Sequence, residues 1–349
     1  MTGTTLLSLL FEVLAGALAG ALAVLFGHGA WVSLRDRMYA HPLARARTAL
    51  YSGDTHHDLD KRGLAELRVL PIRLRITLLS ELSRSLDGAE RGLLTRLART
   101  TGVAVSAERL ARSRFWWQRL RAARLLTFVD GDEILVLSLL EDPHPAVRAQ
   151  TAEWAVHHPT RAVVEALIVN LEQPEAFCRF AAQDALLRLG PAAVAPLAAY
   201  LERAESAACL PALDVAAGMA QPAFSRCGIR LSADENPGVR TRALALLGAI
   251  GGSDGVDAVM RRLDDPAAAV RAAAARAIGD LGHWPAAPAV AALLRDRSWD
   301  VRRAAGLALR DLGSPGHLLL RRLENDTNLF AADMARQVLD LPEPAAAHS

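Results

Sequence analysis

The sequence predicts an all-α protein in which one apolar N-terminal helix precedes a long array of stacked helical hairpins. Three observations predict this fold. The 349-residue chain is rich in alanine and leucine and only 5% aromatic, a composition that favours helices over strands. An apolar run near the N-terminus is as long as a membrane-spanning helix, and past residue 140 one motif recurs about every 31 residues. The predicted architecture is a single transmembrane helix followed by an α-solenoid, an α-α superhelix.

The apolar run covers residues 6–26, LLSLLFEVLAGALAGALAVLF, and contains one charged residue, Glu12, and no proline. A helix of this length rises about 31 Å, close to the hydrocarbon thickness of a bilayer, about 30 Å. Residues 1–5 contain no basic side chain, and the run is longer than the apolar core of a cleaved signal. We therefore predict a signal anchor over residues 1–30, with a cleaved or peripheral segment as the alternative.

The distribution of charge predicts the orientation of this anchor. Residues 28–127 contain 19 Lys/Arg and 9 Asp/Glu, whereas residues 128–349 contain 21 Arg and 28 Asp/Glu, although the whole chain carries a net charge of only +2. Basic flanks of a membrane helix stay on the cytoplasmic side. We expect a single-pass protein of the inner (cytoplasmic) membrane, with its N-terminus outside and the solenoid in the cytoplasm.

One face of the apolar run is small and polar, because Ser8, Glu12, Gly16 and Gly20 recur every four residues. Glycines at this spacing let a second membrane helix approach closely. A carboxylate in hydrocarbon is costly unless it faces a protein partner. These residues therefore predict a packing face for an integral membrane partner, and the alternative is a glutamate tolerated near the interface.

The repeat is centred on a Val-Arg pair, as in DDPAAAVRAAAARAIGDLG (264–282) and RDRSWDVRRAAGLALRDLG (295–313). An acidic turn opens a first helix, Leu-Gly closes it, and a second helix follows. One such hairpin cannot bury its apolar face alone, so neighbouring hairpins stack. We expect about seven repeats over residues 116–340. Six copies stand 30 or 31 residues apart, with a weaker seventh near Ala331: Val147, Cys178, Cys209, Val239, Val270 and Val301.

The pattern D-P-x-x-x-V-R-x-x-A-A-x-x-L-G resembles bacterial HEAT repeats, a group that includes phycobilin-lyase-type HEAT-like repeats. The resemblance covers about residues 116–340 and implies that the recurring Asp and Arg form a hydrogen-bonded ladder between adjacent repeats, with a structural role. The fold itself is a scaffold that serves many partners. The ladder positions are Asp142, Arg148, Arg179, Asp234, Arg240, Asp265, Arg271, Asp296 and Arg302.

Residues 31–115 form a basic juxtamembrane block that is helical but lacks the repeat register, and we expect it to cap the solenoid. Trp116 and Trp117 are expected to fill the junction between this cap and the first repeat. The layout of span, basic block and repeats is similar to that of membrane-anchored bacterial HEAT-repeat proteins. This similarity implies association with a membrane glycosyltransferase. Residues 341–349 are expected to form a disordered tail.

No motif predicts a catalytic, cofactor-binding or metal site. The DGDE sequence at residues 130–133 is interpreted as a helix-capping turn, because a cation loop needs six or more oxygen ligands. The His56–His57 and His157–His158 pairs lack a partner at metal-binding spacing. The three cysteines show no CxxC spacing and are interpreted as free structural thiols.

We therefore expect a non-enzymatic scaffold that binds a protein partner, with neither a nucleic acid nor a small-molecule substrate. Two alternatives remain: a HEAT-like lyase that acts on a prosthetic group, and a nucleic-acid-binding HEAT protein, which the acidic array disfavours. The candidate partner-binding residues lie near the ends of second helices, where solenoids usually line the concave side, although a solvated face would also explain them. They are Arg261, Arg262, Arg321 and Arg322.

Overall fold

Two compact units make up the chain, residues 1–131 and 132–349. The computed structural model describes residues 3–51, 64–82, 91–129, 132–204 and 206–342, without the side chains of residues 3–13 and of several further helix positions. Every regular element in these ranges is a helix, so the all-α prediction is confirmed. The part of the expected tail beyond Pro342 lies outside the described residues.

The first unit begins with a 49-residue helix, Gly3–Tyr51. Among the described side chains of this helix, the buried ones lie in its C-terminal part, at Ala46 and Leu50. Two ion pairs hold the same part: Arg45 lies 3.6 Å from Glu66, and Arg47 lies 2.6 Å from Glu81. The remaining helices are Ile72–Leu82, Arg91–Thr100, Val103–Ala111 and Trp116–Val129, with a further helical stretch over residues 64–69.

The side chain of Arg75 joins these shorter helices through hydrogen bonds to their ends. Its Nε donates to the carbonyl of Leu70 at 2.7 Å, and its Nη2 donates to the carbonyl of Arg68 at 2.8 Å. Its Nη1 reaches the carbonyl of Thr101 at 2.6 Å, in the turn before helix Val103–Ala111. One guanidinium thus satisfies three backbone acceptors at helix ends, which helices leave without intrahelical partners.

The helix Trp116–Val129 differs in two ways from the sequence-based expectation. The sequence places it at the start of the repeat array, but it is part of the first unit. Trp116 and Trp117 do not fill a junction, and that expectation is wrong: the two residues are 40% and 52% exposed. The Trp117 ring instead stacks on Phe115 with 4.5 Å between ring centroids, so the aromatic contact is local.

The second unit is a stack of helical hairpins. It opens with the helix Glu133–Leu140, which Asp132 caps by accepting the N–H of Ile134 at 3.4 Å, and ends with the helix Leu329–Leu339. Between them the described residues contain six hairpins, each a first and a second helix: Pro145–Ala155 with Arg161–Asn170, Ala176–Leu189 with Pro191–Arg203, Leu210–Met219 with Ser225–Leu231, Pro237–Ile250 with Val256–Met260, Ala268–Asp280 with Ala287–Ala292, and Trp299–Asp311 with Ser314–Leu323.

Small residues let adjacent first helices pack closely. A methyl group added at Gly248 would lie 3.2 Å from the Cα of Ala277, and one added at Gly279 would lie 3.1 Å from the Cα of Ala308. The two glycines are one repeat period apart, so the same close approach recurs in consecutive repeats. The valines of the motif, such as Val270, are fully buried beside these contacts.

Glycine turns join the two helices of several hairpins. Gly190 and Gly313 follow the leucine that ends a first helix and have φ of 55° and 70°. Residues with a Cβ rarely adopt this left-handed region. Because the second helix starts at once, with Pro191 or Pro315 in its first turn, these glycines set the angle between the two helices.

Candidate functional site

The residues that recur with the repeat bind one another across neighbouring hairpins. In the fourth repeat, Arg240 donates from Nη1 to the backbone carbonyls of Asp234 and Glu235 in its own turn, both at 2.9 Å. Its Nε and Nη2 donate to the two carboxylate oxygens of Asp265 in the next turn, at 2.9 and 2.8 Å. Asp265 also accepts the N–H of Ala267 at 3.0 Å. One arginine therefore joins two successive turns.

The fifth repeat has the same geometry. Arg271 donates from Nη1 to the carbonyls of Asp265 and Pro266 at 2.8 and 3.1 Å, and from Nε and Nη2 to the carboxylate of Asp296 at 2.8 and 2.9 Å. Asp296 in turn accepts the N–H of Ser298 at 2.8 Å. The side chains of Arg271 and Asp296 are 10% and 9% exposed, too buried to contact a partner.

The electrostatics of these pairs favour the charged forms. Burial by itself raises the pKa of Asp265 and of Asp296, but hydrogen bonds from the arginine and from a backbone N–H hold both pKa values below the ordinary value. The pKa of Arg271 is raised by its hydrogen bond to Asp296. The repeated pair is thus an internal ionic clamp between turns.

The first copies of the motif depart from this arrangement. Arg148 donates to the carbonyl of Asp142 at 2.8 Å but reaches Glu175 in the next repeat, at 3.0 Å. Arg179 donates to the carbonyls of Gln173 and Pro174 at 2.8 and 2.6 Å. The expected arginine and aspartate of the third repeat are replaced by Leu210 and Ala204.

Other polar contacts join the repeats where the motif is interrupted. Tyr200 donates its hydroxyl to the carboxylate of Glu172 at 2.7 Å, and Arg230 donates to the carbonyl of Leu201 at 2.5 Å. Neither contact follows from the repeat pattern, because each involves residues that are not repeated.

The arginine of the sixth copy contacts an aromatic ring. Arg302 donates to the carbonyl of Asp296 at 2.8 Å, and its guanidinium carbon lies 4.7 Å from the centroid of the Phe330 ring. Asp326, which occupies the aspartate position of the seventh copy, pairs with Arg295. The ladder positions predicted from the sequence do not include Asp326, although it stands 30 residues after Asp296.

Large apolar side chains are exposed next to the contact between Arg302 and Phe330. Trp299 and Phe330 stand one repeat period apart, each at the start of a first helix, and are 52% and 64% exposed. Leu329 beside them is 74% exposed. The guanidinium carbon of Arg303 lies 5.7 Å from the centroid of the Trp299 ring. We call Trp299, Leu329 and Phe330 the aromatic row. None of these three residues was predicted from the sequence to bind a partner.

The four arginines expected to contact a partner lie at the ends of second helices, but they are not equivalent. Arg261, Arg321 and Arg322 are exposed. Arg262 is only partly exposed, and its Nη1 lies 3.6 Å from the buried carboxylate of Asp265, which makes it an accessory to the ladder. The partner role of these arginines stays a prediction.

Arg321 also lines a groove of about 810 Å³ among the last helices of the second unit. The groove mixes charged and apolar groups, so it has no single chemical character. Its walls comprise Arg310, Asp311, His317, Arg321, Glu324, Val338, Leu339 and Leu341.

The predicted membrane packing face is only partly visible. The side chains of Ser8 and Glu12 lie outside the described residues. Gly16 and Gly20 are exposed, and a methyl group added at either one would meet nothing within 4 Å. Among the described parts of the chain, no helix combines the length and the apolar character needed to cross a membrane.

The described residues also contain no group of three or more His, Cys, Asp or Glu side chains that could hold a metal ion. Cys178, Cys209 and Cys227 are buried, and burial raises the pKa of each thiol. Cys178 donates to the carbonyl of Pro145 at 3.0 Å. Such thiols are poor nucleophiles, because the thiolate is the reactive form.

Comparison with known proteins supports the identity of the repeats. The family model described as HEAT repeats matches residues 227–310 and 262–340. No curated protein matches the sequence significantly.

Among solved structures, the chain is similar to Kap121p in three forms. A Kap121p mutant aligns with a TM-score of 0.55 and 14% identity, over 85% of this chain and 40% of that one. Kap121p bound to the SUMO protease Ulp1p gives 0.54 and 13%, and Kap121p bound to Pho4p gives 0.53 and 14%, each over 85% of this chain and 41% of that one. The chain thus spans about two-fifths of the length of Kap121p. These findings show the fold, an all-helical HEAT-repeat solenoid.

Proposed function

We propose that the protein is a membrane-tethered scaffold whose HEAT-repeat solenoid holds a protein partner. The observation that carries the proposal is the aromatic row, which leaves Trp299, Leu329 and Phe330 more than half exposed on neighbouring repeats. Tryptophan and arginine dominate the energetics of protein interfaces, and Arg303 lies beside the Trp299 ring. Large apolar side chains in adjacent repeats are typical of a binding surface.

The difference between buried and exposed arginines in the second unit supports this proposal. Arg240 and Arg271 are committed to the ladder, so they stabilise the stack and do not contact a partner. The exposed Arg303, Arg321 and Arg322 remain available on the same unit. A solenoid of this fold is also used for protein binding in Kap121p, whose structures contain Pho4p, Nup53p and Ulp1p.

The tether in this proposal is the apolar run at residues 6–26, in the inner membrane with the N-terminus outside. Its support comes from the sequence: the length of the run, the basic residues that follow it and the face formed by Ser8, Glu12, Gly16 and Gly20. This face would pack against an integral membrane partner. A membrane glycosyltransferase is the first candidate, through the similarity of layout to membrane-anchored HEAT-repeat proteins.

The experiment for the solenoid is affinity purification of the full chain from detergent-solubilised membranes, with partners identified by mass spectrometry. We expect the Trp299→Ala/Phe330→Ala variant to lose the partner recovered with the wild type. The matched control is Trp284→Ala/Phe180→Ala, which removes one exposed tryptophan and one exposed phenylalanine away from the row. Equal recovery with the row variant and the wild type would contradict the proposed surface.

The tether is tested separately by membrane fractionation with an alkaline wash. We expect the full chain to stay in the membrane pellet, and its release by the wash would refute the spanning helix. In the purification described above, Glu12→Leu should weaken recovery of an integral membrane partner. Undiminished recovery with this variant would rule out a role for Glu12 in partner binding.

A further inference from the structure

The first unit contains a cleft of about 370 Å³ between three of its helices. Its floor is aliphatic, formed by Ile72, Ile76 and Leu110. Three arginines surround it, one from each of the helices Ile72–Leu82, Val103–Ala111 and Trp116–Val129. They are Arg73, Arg109 and Arg121, and all three are exposed.

No carboxylate among the described residues pairs with these three guanidinium groups. Arg47, in contrast, is paired with Glu81, and Arg75 donates to three carbonyls. The shortage of acidic groups is general in this region: residues 91–129 contain nine arginines and one carboxylate, that of Glu108. Within the described part of the first unit, the cleft therefore presents three guanidinium groups without a paired carboxylate over an aliphatic floor.

The surface next to the cleft has the features of a membrane interface. Trp117 lines the cleft and is 52% exposed, and the adjacent Trp116 is 40% exposed. Tryptophan is enriched at the level of lipid headgroups, where its ring is apolar on one side and its N–H can reach water. In the same unit, the long N-terminal helix exposes Leu22, Phe26 and Trp31.

We propose that this cleft binds one anionic phospholipid. The phosphodiester and its anionic headgroup would lie among Arg73, Arg109 and Arg121, because a guanidinium fork matches a phosphate in shape and charge. The first methylenes of an acyl chain would cover the aliphatic floor beside Trp117. Free phosphate would leave this floor exposed to water, and an acidic peptide would not supply an acyl chain. The proposal depends on neither the protein partner nor the spanning helix.

The test is native mass spectrometry of the full chain in a non-ionic detergent, with short-chain lipids as probes. We expect dioctanoyl-phosphatidylglycerol to bind at least about tenfold more tightly than dioctanoyl-phosphatidylcholine, which has the same acyl chains and no net charge. Inorganic phosphate and a hexaglutamate peptide should not compete at equal concentration. Competition by either one, or equal binding of the two lipids, would overturn the assignment.

The variant Arg73→Gln/Arg109→Gln/Arg121→Gln should lose this preference, because each basic residue near an anionic surface contributes about 1 kcal/mol, about fivefold in affinity. The matched control is Arg203→Gln/Arg226→Gln/Arg297→Gln, which removes three exposed arginines of the second unit. All six side chains are exposed, so both variants should keep the circular dichroism spectrum of the wild type. An unchanged lipid preference in the first variant, or an equal loss in both, would refute the site.

Discussion

Arg240 and Asp265 are 25 residues apart in the chain and are joined by two parallel hydrogen bonds of 2.9 and 2.8 Å. The aspartate side chain is fully buried and that of the arginine is 10% exposed. The same arginine also holds two carbonyls of its own turn. This pair therefore sets the spacing of two repeats, and Arg271 and Asp296 reproduce it one period later.

We predict that Arg240→Ala lowers the free energy of unfolding by about 3–5 kcal/mol, because it removes both guanidinium hydrogen bonds from the buried carboxylate of Asp265. Urea unfolding followed by circular dichroism measures the change. The matched control is Arg242→Ala on the same helix, whose pair with Asp214 is 45% exposed on both sides. Exposed pairs contribute about 0–1 kcal/mol, so similar losses in the two variants would contradict a special role for the ladder.

We predict that the second unit loses stability in acid. The pKa values of Asp265 and Asp296 in the folded protein lie below the value of about 3.9 for an unfolded aspartate. Their contribution is therefore complete above about pH 5 and is lost as the pH falls through the folded values. Thermal unfolding between pH 7 and pH 3 measures it. Asp265→Asn/Asp296→Asn should be less stable at pH 7 and less sensitive to acid, and an unchanged pH profile would be inconsistent with this origin.

We predict that the three thiols are unreactive in the native protein. Cys178, Cys209 and Cys227 are buried, and burial raises the pKa of each thiol. Little thiolate is therefore present at neutral pH. Ellman's reagent should label the native chain slowly and label all three cysteines once the chain is unfolded in urea. Rapid labelling of the folded protein at pH 7 would show that these sites are open.

We predict that Gly279→Ala destabilises the stack, because its methyl group would lie 3.1 Å from the Cα of Ala308. Overpacking of this kind costs about 1–3 kcal/mol, more than the gain of up to about 1 kcal/mol from replacing a helical glycine. Differential scanning calorimetry should show a lower Tm. The comparison is Gly92→Ala, where the nearest atom is the flexible Nη1 of Arg96 at 3.9 Å, and this variant should be neutral or slightly more stable. A neutral Gly279→Ala would mean that the helices can separate without cost.

The repeat could be predicted from the sequence because each hairpin must meet the same packing requirements as the hairpin before it. Every hairpin must bury the same positions, so Val239, Val270 and Val301 return at a fixed spacing. The turn aspartate and the helix arginine return with them, as Asp265 and Arg271 do. The resemblance to HEAT repeats implied the ladder, and the structure shows the hydrogen bonds that form it. The apolar N-terminal run is likewise a property of local composition, and its role in the membrane stays a prediction.

The candidate binding surfaces depend on tertiary structure, because exposure is decided by the packing of neighbouring helices and leaves no periodic mark. Tryptophan and phenylalanine are residue types that often lie in a core. Only the stacking of the hairpins leaves Trp299 and Phe330 at the surface. Trp116 and Trp117 were expected to fill a junction, and the packing of the helices in the first unit leaves them exposed. The three arginines of the cleft come from helices separated by up to 48 positions, from Arg73 to Arg121, and only folding brings them around one apolar floor. Sequence periodicity determined the all-α solenoid and the recurrence of its aspartates and arginines, whereas tertiary packing decided which aromatic and basic side chains remain available to a partner.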